Sequence, residues 1–595
     1  MKGILKANKK YLMLFSMILS LAFLSACGGV TPTSYTITAT AGAGGSISPS
    51  GAVMVSEGSN QTFTFTPDEG YQIADILVDD IPIGSVGIYN FTNIVQNHTI
   101  QVSFILGTSE FKVYNIYTGV GYNTIQAAID TALNGHAIIV YPGIFYENIK
   151  FVGKNITVRS SDPSNPDIVS VTIIDGGDSG SVVWFDEGDK SILEGFTIRN
   201  GNMWPGGGGI FLQCSNPTIK NNTITGNTAA NGGGIYVYDG NPIIENNIIS
   251  ENISTASGTI PGIDDLKGCG GGICSLYSSP TIKKNTIIGN TADSAGGIYI
   301  AAGSSDMSIK DNNISYNTAK YCGGIMLATS SPTLTGNTIV GNTITGDKVY
   351  FYDGNGSAIY MHSFSSPTIE NNTISENITE FGSGSVIYIT YNSHPIIKNN
   401  TITKNTAGSG GGIYVAYLSS PDINSNTISS NTSAALGGGI VVSNFSNPTI
   451  TNNNINSNTA KDGGGISVGD DSDPIISYNT ITGNIASNNG GGIRVNDGNP
   501  TIKNNIIESN MAGYQGGGIC LFGDSSPIIT MNTIANNKAE NLGGGIYEDS
   551  YGSPVIGGTD DGDLYNLFDF NTICGNTPDQ IEPLYPNNFI STVCD

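Results

Sequence analysis

Three groups of side chains in this sequence have the types and spacing to do chemistry. The first is a column of aromatics. Phe211, Tyr236, Tyr299, Tyr360, Tyr388 and Tyr414 each follow an isoleucine at the same place in a repeat. Pointing outward in register, such rings would offer apolar faces and polar edges suited to stacking on sugars. Stacked on one another, they would simply stabilise a sheet. The second group lies in two segments longer than the repeat: Asp264, Asp265 and Lys267 in one, Asp347, Lys348 and Asp353 in the other. Two carboxylates across a groove hydrolyse glycosides when correctly separated; otherwise these are ordinary surface loops. The third group is Asp470, Asp473 and Asp497, close to register in adjacent repeats. Like charges facing each other in a sheet repel. A calcium ion, which takes about six to eight oxygen ligands, would turn that repulsion into ligation; the alternative is solvated turn aspartates.

The repeat decides how these groups are held. Residues 410–436, GGGIYVAYLSSPDINSNTISSNTSAAL, are one copy. They read as three short strands, around Ile413, Ile423 and Ile428, separated by Gly, Ser and Asn turns. None can bury its apolar face alone, so the copies must stack. First-strand isoleucines recur from Ile210 to Ile546, usually 25 to 28 residues apart, and second-strand prolines such as Pro395, Pro421 and Pro448 keep the same beat. The longer steps after Ile235 and Ile325 hold the two inserted segments, about 253–267 and 343–355. A period near 26 without helical periodicity predicts one coil of a parallel β-helix rather than a leucine-rich or helical repeat. At ~4.8 Å per coil, about 15 coils give a rod of roughly 75 Å. Two asparagine columns, five residues apart, include Asn400 with Asn405 and Asn426 with Asn431. Amides stacked at that spacing predict ladders from coil to coil.

The GGGI and I-x-x-N motifs resemble the GGAI and FxxN repeats of chlamydial polymorphic outer-membrane proteins. More broadly they resemble the right-handed parallel β-helices of the pectate-lyase-like superfamily, over about residues 140–580. The resemblance implies an all-β, right-handed coil. It leaves activity open, because that superfamily holds lyases, hydrolases, epimerases, adhesins and phage spikes. The sequence lacks an NTD…DD…HG…RIK set like that of polygalacturonases and a DPHE like that of alginate epimerases. Its only arginines are Arg159, Arg199 and Arg494, and His136, His362 and His394 stand alone.

Upstream, Lys2, Lys6, Lys9 and Lys10 precede an apolar run and Leu24-Ser25-Ala26-Cys27. This reads as a secretory signal over 1–26. LSAC resembles a bacterial lipobox, which implies that Cys27 carries lipid (palmitate among it), that 27–34 are a tether, and that the chain sits on the cell envelope, by analogy the outer membrane facing outward. Residues 35–106 alternate in short runs and predict a small all-β module. GGSISPSG, GYQIADILVD and NHTIQVSF there resemble a bacterial surface repeat module. Within 107–595, TIQAAIDTA (124–132) places Ile125, Ala128 and Ile129 on one helical face. Together with VYPGIFYE it resembles the cap of pectin-methylesterase-like β-helices. Residues 556–595 break the repeat and are expected to close the far end.

The chain has 23 basic and 48 acidic side chains, a net charge of −25. Cleavage before Cys27 would remove four lysines and make it more acidic. That surface argues against nucleic acid and against polyanionic glycans without a bridging cation. Cysteines beyond Cys27 are odd in number and show no CxxC or Cys/His cluster, so neither a zinc site nor a disulfide framework is indicated; Cys574 and Cys594 could staple the C-terminal cap. The expectation is a lipid-anchored surface β-helix that binds polysaccharide or another cell-surface ligand without catalysis. The alternatives are a polysaccharide lyase or glycoside hydrolase between the inserted loops, and a passive or adhesive stalk.

Overall fold

The computed structural model describes residues 34–68, 71–106, 111–255, 268–346, 355–379, 384–557, 571–579, 581–582 and 590–591. The chain divides into two compact units, residues 1–110 and 111–595.

In the first unit, period-two alternation produces two sheets. Ser34–Ala41 lies between Gly51–Ser56 and His98–Leu106, and the latter continues to Tyr71–Val78. Gly45–Ser48, Gln61–Pro67 and Ile88–Phe91 form a three-stranded sheet. Their inward residues, among them Ile37, Phe63, Phe65, Ile76, Ile100 and Val102, make one core.

The second unit is a parallel β-solenoid of about 14 turns. Ile413–Val415, Asp422–Asn424 and Thr427–Ser429 form the three strands of the Gly410 coil. A fourth, two-residue strand, Thr432–Ser433, follows them, so each regular coil has four strands, not three. Every strand pairs in parallel with its counterpart one coil on, as in Ile413↔Ile440, Ile423↔Ile450, Ile428↔Ile455 and Thr432↔Thr459. Ile413, Val415, Ile423 and Ile428 are fully buried. With their counterparts in every coil they make a single continuous core.

Asparagine fixes two of the four corners. Asn426 donates its backbone N–H and its Nδ2 to the Oδ1 of Asn453, at 2.9 and 3.0 Å, and its own Oδ1 receives the same pair from Asn400. This ladder runs unbroken from Asn222 through Asn312, Asn337 and Asn453 to Asn571. A parallel one runs from Asn227 through Asn317 and Asn458 to Asn576. These amides are buried and fully engaged, so they stabilise the corners and are closed to modification.

The helix Ile125–Thr131 covers the first coil. Thr124 caps it by accepting from the Ala127 N–H, and Ile125, Ala128 and Ile129 enter the core. Val113–Asn115 pairs antiparallel with Ala137–Val140 and closes that edge of the sheet.

Candidate binding surface

The aromatic column points away from the solenoid core as expected, but it is not exposed. Phe211, Tyr236, Tyr299, Tyr360 and Tyr388 are all buried, Tyr299 and Tyr388 to within 1% of their surface, and Tyr414 is half-buried. They pack with Cys274, Met326 and Trp184 into a second apolar cluster outside the first-strand sheet. Rings contact coil to coil: Trp184–Phe211 at 4.4 Å, Phe211–Tyr236 at 5.6 Å, Tyr360–Tyr388 at 5.6 Å and Tyr388–Tyr414 at 5.2 Å. The turn that enters the first strand passes close by, with glycine at Gly206 and Gly410 and with Ala295 and Cys322 joining the cluster in other coils. Gly410 has φ +66°, and a Cβ there would lie 3.0 Å from the Cβ of Tyr414; one on Gly206 would lie 3.0 Å from the Tyr236 ring. Glycine lets the backbone pass that close. Burial pushes the hydroxyls of Tyr236, Tyr299 and Tyr388 above the ordinary phenol range. The column is a structural spine, and the faces of its five buried rings are not available to a sugar.

The aspartates do not converge either. Asp473 Oδ1 accepts the Asn499 N–H at 2.8 Å, and Asp497 Oδ1 accepts the Asp524 N–H at 2.9 Å while its Oδ2 accepts Asn496 Nδ2 at 2.6 Å. Asp470 and Asp471 both adopt φ 53° at a corner, a conformation aspartate tolerates better than most residues. The carboxylates of Asp473 and Asp497 thus satisfy backbone donors of the next coil. Among the described residues, no group of three His, Cys, Asp or Glu side chains could hold a metal ion.

Asp264, Asp265, Lys267, Asp347, Lys348 and Asp353 lie outside the described residues, as do Cys27 and Cys594. Cys269 and Cys274 are joined by a disulfide that sequence reasoning did not anticipate, Cys574 is also disulfide-bonded, and Cys214, Cys322 and Cys520 are free. The histidines have structural partners. His98 pairs with Asp79, His136 Nδ1 meets Asn115 Nδ2 at 2.9 Å, and His394 Nδ1 accepts the Ser420 N–H at 3.0 Å. His362 packs on Tyr360 and bonds Ser363 Oγ, and burial pushes its pKa down to about 4.

A row of exposed apolar side chains lies elsewhere, at the corner between the first and second strands. There Phe364 is 68% exposed, Leu418 55% and Phe445 57%. Backbone bonds put them in one row with Asn392: Phe364 N–H donates to Tyr391 O, Asn392 to Tyr417 O, Leu418 to Asn444 O and Phe445 to Asp470 O. The inner row of the corner is Ser363, Tyr391, Tyr417 and Asn444, with Tyr391 and Tyr417 stacked at 4.9 Å and only 2° apart. All eight residues have positive φ, between 51° and 63°. For tyrosine, leucine and phenylalanine that conformation costs about 1–2 kcal/mol each. It is held by the corner hydrogen bonds and by a buried serine ladder beneath, Ser365→Ser393→Ser419→Ser446→Ser472, each backbone N–H donating to the next hydroxyl at 3.1–3.3 Å. One signal could have found this ridge in the sequence: each outer residue stands three places before the second-strand proline, as in FSSP, LSSP and FSNP.

Comparison with known families accords with this geometry. The family described as right handed beta helix region matches residues 114–264, 164–355, 343–485 and 438–577. The chain belongs to that family. Ahead of the β-helix, residues 35–104 match the divergent InlB B-repeat domain. No curated protein matches the chain. The β-helix family establishes the right-handed coil and no particular chemistry. The combination of repeat module and β-helix is consistent with a surface or adhesive role.

Proposed function

We propose that this chain is a lipid-anchored cell-surface protein whose β-helix binds polysaccharide or another surface partner without catalysis. The observation that carries the reading is the uniformity of the described coils. The two amide ladders are unbroken from coil to coil, and candidate catalytic groups there are tied into structure: His136 and His394 to neighbours, Asp473 and Asp497 to backbone donors, Tyr299 and Tyr388 into a buried spine. Enzymatic sites grafted on rigid scaffolds draw on irregular loops that bring such groups together. The InlB-type module fits display at a surface, and Leu24-Ser25-Ala26-Cys27 fits lipid attachment at Cys27.

The test is affinity electrophoresis of the full chain through gels that each contain one polysaccharide. Retardation with intact polymer supports binding. A cleared zone around the band makes the protein a lyase or hydrolase and directs attention to Asp264, Asp265, Asp347 and Asp353. Free migration through the whole panel refutes glycan binding and leaves a stalk. Anchoring is tested separately by labelling with radioactive palmitate, which Cys27→Ala should abolish.

A further inference from the structure

We propose that the corner ridge of Phe364, Asn392, Leu418 and Phe445 is the ligand platform, and that its ligand is an extended chain of amine-bearing pyranose sugars. This rests on the binding reading above and names its site and ligand class.

The ridge is hard to explain as part of the fold. Its apolar side chains are more than half exposed, so they gain little from burial. Their backbone adopts the region that asparagine, aspartate and glycine occupy more readily. Other coils vary at the same place: Asp239, Asp471 and Asp497 are tolerant residues there, while Cys214, Tyr277 and Thr329 hold positive φ there as well. Four consecutive coils therefore carry an outer row that includes bulky apolar side chains where a polar residue would be less strained. Strain of this kind concentrates at functional sites.

The pattern also describes a ligand. Apolar faces alternate with hydrogen-bonding groups, the amides of Asn392 and Asn444 and the hydroxyl of Ser363, over four coils spaced ~4.8 Å apart. Flat apolar faces bordered by polar edges match pyranose rings. The two corner rows carry no charge from Ser363 to Phe445, and then the next coils bring Asp470, Asp471, Asp497 and Asp524 to the same corner. A chain laid along the corner thus meets a neutral stacking surface and then an acidic one. That sequence of surfaces attracts amines and repels uronates or sulfates, as does the net charge of −25. A second copy of the chain is a poor occupant. One corner of four coils offers far less than the roughly 800 Å² per partner that a stable dimer buries.

The decisive variant is the triple substitution Phe364→Asn, Leu418→Asn, Phe445→Asn in the full chain. Asparagine suits positive φ, so the melting temperature should stay level or rise, while affinity for a hexamer of β-1,4-linked glucosamine should fall about tenfold or more. Cellohexaose should bind the wild type several-fold more weakly than the glucosamine hexamer at low salt, and the difference should close at high salt. Equal affinity for both sugars at low salt would overturn the amine assignment. Unchanged glucosamine binding in the triple variant would overturn the site while leaving a surface-binding protein. A fall in melting temperature would show that these side chains hold the corner together, which also overturns the site. Concentration-dependent self-association that the triple variant abolishes would make the ridge an interface between copies instead. Failure of the wild type to bind any sugar in the panel would remove the ligand and the polysaccharide-binding reading it rests on.

Discussion

Replacing Asn426 by alanine tests the physical basis of the whole coil. Asn426 is 1% exposed. Its Oδ1 accepts the backbone N–H of Asn400 at 2.9 Å and Asn400 Nδ2 at 3.0 Å; its Nδ2 donates to Ile397 O at 2.8 Å, Asn424 O at 3.0 Å and Asn453 Oδ1 at 3.0 Å. Alanine keeps the backbone N–H bond to Asn453 and loses the rest. The Asn400 side-chain amide retains Ile369 O and Lys398 O, so its loss is small. The Asn400 backbone N–H has no substitute acceptor, and a buried orphan donor costs about 1–3 kcal/mol. With the carbonyls left short of a donor, the total is about 3 kcal/mol. A repeat array does not unfold in two states, so the effect belongs to the affected coils and their neighbours. Hydrogen exchange should therefore show the Asn400 amide opening about a hundredfold more readily, with amides near Asn247 unaffected. Asn454→Ala, on an exposed strand position, should change stability by no more than ~0.5 kcal/mol. If Asn426→Ala were as mild as Asn454→Ala, the ladder would not be what fixes this corner.

Three further outcomes follow from the same structure. Tyr388→Ala, in the buried spine, should cost about 3–5 kcal/mol by analogy with other buried aromatics, read as a lower melting temperature, in contrast to the triple corner variant. Asp189 is buried, and burial pushes its pKa up to about 6 although the Lys154 and Asp186 N–H groups donate to it. The folded state then holds a proton that the unfolded state releases above its ordinary pKa near 4, so this group's contribution falls by about 3 kcal/mol as pH rises from about 3 to about 7, most of it between pH 4 and 6; denaturant titrations across that range should show the slope, and Asp189→Asn should flatten it. Burial pushes the thiols of Cys322 and Cys520 up, far from thiolate formation at neutral pH. A thiol reagent should leave both unmodified until the protein is denatured, while reduction of the Cys269–Cys274 bond, which closes a short loop, should cost about 2 kcal/mol.

Much of the architecture was legible because it is written at fixed offsets. Ile413, Ile423 and Ile428 mark three inward strands, and the two asparagine columns mark two corners, since an amide ladder works only if every coil puts its asparagine at the same place. The fourth strand was not legible. Thr432–Ser433 has two residues and no apolar alternation, so nothing separates it from a turn. The tyrosine column shows a different limit. Alternation says that Tyr388 and Tyr414 leave the core, but it does not say that they stack on each other and on Tyr360, or that the backbone of Gly410 passes beside Tyr414. Asp473 and Asp497 share a register with their neighbours as read, yet shared register does not say whether a carboxylate faces its neighbour or bonds the next coil's N–H.

The same reasoning explains why a binding site would settle at a corner. Within the strands, inward positions are claimed by the core, the outward positions of the first strand by the buried spine, and the asparagine corners by their ladders. At the corner before each proline, the backbone is held by its own hydrogen bonds and by the serine ladder, which leaves the outer side chain free. Its identity can then change at a known and limited conformational cost, from aspartate in Asp471 to phenylalanine in Phe364 and Phe445, without disturbing the coil. The composition of that row, coil by coil, is therefore where selection for a ligand can be recorded, and reading it requires knowing which residues hold positive φ. The place of that row can be read from its offset before the second-strand proline, but that Phe364, Leu418 and Phe445 hold positive φ there is seen only in the structure.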